Sequence, residues 1–135
     1  MKNLDTDFRS KLGKAKGLGS AKHGVGHWWF QRVTAVALIP LTLWFVAAIL
    51  CTLMSPEITA VMAWFASPVN ALLLSLLLVA LFYHAKLGLQ VIIEDYITCP
   101  CSKYALLLAN VFFCFTGAAL ALIAVLKLHF LDVSL

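Results

Sequence analysis

The stretch VTAVALIPLTLWFVAAILCTL, Val33 to Leu53, runs for 21 residues without a charged side chain. At 1.5 Å per residue, about 20 such residues cross the roughly 30 Å hydrocarbon core of a bilayer. Two more runs follow. Val69 to Ile93 spans 25 residues, interrupted among ionisable groups only by His84 and Lys86, Tyr83 aside. Tyr104 to Leu126 spans 23 residues with no charge. Hydrocarbon offers no partner to backbone N–H and C=O groups, so each span is expected to be a helix. The expected fold is all-α and integral to the membrane, with three transmembrane helices near residues 30–53, 69–93 and 104–127. Pro40 is expected to kink the first helix near Val36, whose carbonyl loses its partner.

The totals agree. Of 135 residues, 63% are hydrophobic and 12% charged, and the mean hydropathy is +0.97. Soluble domains are nearer half apolar and a quarter charged. The net charge of +4 is concentrated before Trp28. There Lys2, Arg9, Lys11, Lys14, Lys16 and Lys22 face only Asp5 and Asp7. Residues 1–27 therefore read as a basic cytoplasmic segment, and 28–135 as the membrane domain. A basic head before a span sets orientation or touches anionic lipid, so the bilayer is the expected partner and nucleic acid is not. The first link, Met54 to Pro68, holds no Lys or Arg, which places the N-terminus in the cytoplasm by the positive-inside rule. Trp28 and Trp29 at one end of the first span, and Trp64 and Phe65 at the other, read as interfacial belts.

No apolar core follows the first charges, and the head is not rich in Arg and Ser. Both facts argue against a cleavable leader and favour a bacterial cytoplasmic membrane over a mitochondrial inner one. Cys51 and Cys114 sit in apolar runs as small hydrophobes. Cys99 and Cys101 form C-P-C, one residue short of the redox spacing, and read as reduced thiols in a short link.

His84 is the first residue that asks for a function. It lies nine residues before Ile93, about 14 Å inside the inner boundary. Ionisable groups at such depth are costly and face protein, water or a cofactor. His84, Gly88, Val91 and Asp95 follow at i, i+4, i+7 and i+11 on one face. Gly88 either leaves a notch for a flat cofactor or lets two helices approach closely. Lys86 points about 200° away, on another face. The imidazole itself can be a haem ligand, a proton relay or a hydrogen-bonded packing residue. A six-coordinate haem needs two axial ligands. His23, His27 and His129 do not share the depth of His84, so a second ligand would come from another chain.

The inner end of the second span carries Glu94, Asp95 and Tyr96, on the membrane side where Arg32 opens the first. Arg32 is either a positive-inside anchor or a planar fork for an anionic group. Tyr96 is either a belt aromatic or a phenol that donates to a quinone carbonyl. Acids at a helix C-terminus oppose its dipole, so Arg32 or Lys103 is expected to compensate them.

GSAKHGVGHWWFQRVTA (Gly19 to Ala35) and YHAKLGLQVIIEDY (Tyr83 to Tyr96) together resemble the hydrophobic membrane-anchor (cytochrome b, D-type) subunit of succinate dehydrogenase, respiratory complex II. The likeness runs from about Gly19 to the end of the chain and includes the three-span plan. It implies that His84 is an axial ligand of haem b, the other ligand coming from a sister cytochrome b anchor subunit. It implies that Tyr96 hydrogen-bonds ubiquinone beside the acid Asp95, and that Arg32 lies near the haem propionates and the quinone pocket. His27 matches only loosely. The implied partners are the sister anchor, the iron–sulfur subunit and the flavoprotein. This chain would do no succinate chemistry of its own. The competing expectation is a small oligomeric proton-coupled transporter that uses His84 and Lys86.

Overall fold

A computed structural model describes residues 24–54 and 57–131. The basic head, with His23, lies outside the described residues. Among the described residues, four helices follow one another: α1 (Gly24–Met54), α2 (Ile58–Ala66), α3 (Pro68–Tyr96) and α4 (Pro100–Leu131). Three of them are long and apolar enough to cross a membrane, over Val25–Thr52, Pro68–Tyr96 and Pro100–Phe130. The all-α, three-span fold expected from the sequence is the fold found. Each helix outruns its uncharged stretch, because the polar residues at its ends continue the same hydrogen-bonding ladder.

Local chemistry sets the ends. Pro68 stands in the first turn of α3 and Pro100 in that of α4, where a missing N–H costs nothing. Lys103 N–H returns to the Cys99 carbonyl at 2.9 Å to open α4. At the end of α3, the Ile97 N–H reaches the Ile93 carbonyl and Lys103 Nζ donates to the Glu94 carbonyl at 2.7 Å. Lys103 is thus a cation that meets the negative end of α3, as expected, and it does so through the backbone. Pro40 stands inside α1, which remains helical on both sides of it. The first link is not plain coil: α2 forms in it, nine residues long and too short to cross. The residue before a proline is pushed out of the helical region, and Ser67, with ψ 121°, separates α2 from α3.

α3 is the central helix, with α1 against one side and α4 against the other. Ala71, Leu74 and Leu77 of α3 and Val125 of α4 form the buried core, with Leu38, Leu41, Trp44, Phe45, Trp64 and Phe65 packed around it. Trp64 of α2 stacks on Trp44 of α1, ring centres 5.7 Å apart. The aromatic pair expected as an outer belt therefore also packs against the core. Two polar ties hold α2 down. Asn70 Nδ2 donates to the Trp64 carbonyl at 2.9 Å, and His129 Nδ1 lies 3.1 Å from the Phe65 carbonyl. Nearer the other end, buried Asn110 of α4 donates to the Lys86 carbonyl of α3 at 2.9 Å.

Candidate functional site

The end of the α1–α3 pair remote from this core opens into a groove of about 760 Å³. That is within the roughly 300–1,000 Å³ usual for ligand sites. Helical spacing builds both walls. On α1, His27 and Gln31 stand one turn apart, and Trp28, Arg32 and Ala35 follow in the neighbouring row. On α3, His84, Gly88 and Val91 form one row, with Gln90 and Glu94 beside it. Four of the residues singled out from sequence, His84, Gly88, Arg32 and His27, thus meet in one place. Lys86 is not among the lining residues, and its carbonyl is engaged by Asn110 on the α4 side.

The acidic end divides. Glu94 lines the groove with Arg32, and its Oε1 accepts from Gln90 Nε2 at 2.8 Å. Asp95 and Tyr96 do not line it, and Tyr96 is 80% exposed. They occupy the last turn of α3, which leaves the phenol free for a neighbour beyond this chain. Arg32 holds its guanidinium carbon 5.4 Å from the centre of the Trp28 ring. That cation–π geometry fixes a cation at the groove's rim.

His84 is held through both ring nitrogens. Thr34 Oγ1 lies 2.9 Å from Nδ1, and Gln31 Nε2 lies 3.3 Å from Nε2. The sequence assigns no role to Thr34, and Gln31 enters it only as half of the Q-R pair that opens the first span. The signal was available: His27, Gln31 and Thr34 are polar at i, i+4 and i+7 along one face of an apolar helix. Among the described residues, His27 Nε2 and Gln31 Oε1 are buried without a hydrogen-bond partner. Buried polar atoms are rarely left unpaired, and two in one groove mark a place where a polar ligand has work to do. Gly88 faces the same space. A Cβ there would meet Gln31 Nε2 at 3.6 Å, an ordinary contact.

Outside the spans, Cys99 is fully exposed, and its thiol is pulled below the ordinary range chiefly by the Ser102 backbone N–H, then by the Ser102 side chain.

Three long apolar helices, two of which wall an ionisable groove, define a small multi-pass membrane protein. Residues 6–119 match the family of transmembrane subunits of succinate dehydrogenase and fumarate reductase, and the chain belongs to that family. It is similar to the succinate dehydrogenase hydrophobic membrane anchor subunit of Rickettsia bellii, 39% identical over 103 residues, 76% of this chain and 82% of the relative. The protein of the same name from Rickettsia conorii is 38% identical over 109 residues, 80% of this chain and 86% of its own. That from Paracoccus denitrificans is 33% identical over 99 residues, covering 73% and 75%. No solved structure matches the chain.

Proposed function

We propose that this chain is the hydrophobic membrane-anchor subunit of a succinate:ubiquinone oxidoreductase in a bacterial cytoplasmic membrane, with its N-terminus in the cytoplasm. Its partners are a sister cytochrome b anchor, an iron–sulfur subunit and a flavoprotein. The observation that carries the reading is the groove. It offers a histidine at depth, a cation at the rim and two buried polar atoms without partners, in a chain of this family.

The residues present fit a haem b. His84, which lines the groove, would supply a ligand nitrogen, Gly88 would leave room beside it, and Arg32 with His27 would offer donors and charge to propionates. Bound there, a haem supplies a one-electron carrier. A haem with two protein ligands would take the second from the sister anchor, because His27 lies nearer the start of α1 than Gln31 and Thr34, the residues that hold His84. Tyr96 and Asp95, exposed beyond the groove, serve ubiquinone. The phenol donates to a quinone carbonyl and the carboxylate orients it, on a surface the iron–sulfur subunit completes. This chain positions the quinone and anchors the complex, and succinate is oxidised elsewhere.

The test is to purify the membrane complex gently, identify its subunits and record reduced-minus-oxidised spectra. A haem b band lost in His84→Ala, with flavoprotein and iron–sulfur partners present, is expected. A colourless chain that purifies without them overturns the reading. Tyr96→Phe is expected to lower quinone reduction while succinate oxidation with an artificial acceptor persists. Equal loss in both assays would make Tyr96 structural.

A further inference from the structure

We propose that Thr34 is a positioning residue that sets the tautomer of His84, holding the ring proton on Nδ1 so that Nε2 keeps its lone pair towards the groove. The inference rests on the reading of His84 as a haem ligand.

The case is one of counting protons. A threonine hydroxyl has one proton and two lone pairs. Thr34 Oγ1 lies 2.8 Å from the Phe30 carbonyl, 3.1 Å from the Gln31 carbonyl and 2.9 Å from His84 Nδ1. The carbonyls can only accept, so they compete with Nδ1 for one proton. The other two threonines of α1 give theirs to the carbonyl one turn back, Thr42 to Leu38 at 2.6 Å and Thr52 to Ala48 at 2.9 Å. This is the usual habit of a threonine inside a helix. With its proton on Phe30, Thr34 Oγ1 offers a lone pair to Nδ1–H. Nε2 is then the basic nitrogen, and the Gln31 amide, 3.3 Å away, donates to it. A ligand that takes this lone pair replaces only one long hydrogen bond. Gln31 Oε1, already without a partner, loses nothing. The opposite network has Thr34 donating to Nδ1 and a turned Gln31 amide accepting from Nε2–H. It moves the unpartnered position of Gln31 from oxygen to nitrogen and leaves no His84 nitrogen free for a metal. Metal-bound histidines are generally oriented by an acceptor on the other ring nitrogen, and its loss costs about 10–100-fold in metal affinity.

The experiment uses the whole complex. Thr34→Val removes the hydroxyl at constant shape, Thr34→Ser keeps it, and Thr34→Ala removes it without adding bulk in case valine packs badly. Haem b per copy of this chain and the low-spin ferric electron paramagnetic resonance signal are measured. Haem affinity is expected to fall about 10–100-fold in the valine and alanine variants, with a shifted signal in the haem that remains. Serine is expected to restore both. Native haem content and an unmoved signal in valine and alanine overturn the proposal, since the hydroxyl would then be a donor or a bystander. If those variants are silent while His84→Ala loses the haem, Thr34 alone is refuted. If His84→Ala keeps the haem, or the native complex carries none, the ligand reading falls and takes this inference with it.

Discussion

At the scale of single residues, depth decides what each polar group can do. His84 was legible from sequence because an ionisable side chain far inside an apolar run has few harmless explanations. Gln31 and Thr34 were not, because uncharged polar side chains at a span's edge are common, and their value depends on which face α3 presents. Asp95 shares a helical face with His84, yet it is Glu94 that meets Arg32 in the groove, since helical phase within α3 does not say where α1 crosses it. Arg32 and Cys99 are each shaped by one local contact. The face of Trp28 preorganises the Arg32 guanidinium. Arg32→Lys is therefore expected to keep the complex assembled but weaken haem retention, as lysine lacks both the planar fork and the stacking. Haem content after extended washing measures this, and full retention would mean charge alone suffices. For Cys99, N–H donors favour the thiolate, so its pKa lies below the 9.0 of an unperturbed thiol. The sign is that of an acid stabilised when charged: reactivity extends to lower pH than in an unperturbed thiol and is lost below the lowered value. Iodoacetamide labelling of a single-cysteine variant against pH should give a midpoint below that of a model peptide. Ser102→Ala should raise it only part way, because the backbone donor remains.

At the scale of elements, the three spans were legible because length and hydropathy suffice where water is absent. α2 was not, as nine residues give too short a window and it is held by Trp44, Asn70 and His129 from outside its own sequence. Nor does hydropathy reveal how the spans grip one another. Gly117 of α4 does this for the α3–α4 pair. A Cβ there would lie 2.6 Å from Phe82 Cε1, closer than side chains tolerate, so the ring or the helix must shift. Small residues at such crossings let membrane helices approach. Gly117→Ala is expected to cost about 1–3 kcal/mol, the usual range for overpacking. Removing the Asn110 bond to Lys86 should cost less, near the roughly 0.6 kcal/mol average for hydrogen bonds between membrane helices. Thermal unfolding of the detergent-solubilised complex ranks the two. Phe82→Leu in the Gly117→Ala background should recover part of the loss, and strict additivity would show that the ring is not the obstacle.

At the scale of the whole molecule, the chain looks incomplete. None of the apolar window of α1 is buried, and the groove has walls only from α1 and α3. Lipid can cover the apolar faces but cannot satisfy His27 Nε2 or Gln31 Oε1, which is the physical reason to expect a second polypeptide or a cofactor there. The proposed orientation puts the α3–α4 link on the cytoplasmic side and the cation-free first link on the other. Cysteines mark both ends, Cys99 in the α3–α4 link and Cys51 near the opposite end of the bundle in α1, each exposed within the chain. Variants that retain one of these cysteines can be treated with a membrane-impermeant maleimide, in sealed right-side-out spheroplasts and then after permeabilisation. Cys99 is expected to react only once the membrane is opened. Labelling of Cys99 from outside would invert the topology. It would also put Tyr96 on the face opposite the cytoplasm, where no soluble cytoplasmic partner could deliver electrons to a quinone. Orientation and the proposed quinone site therefore stand or fall on the same measurement.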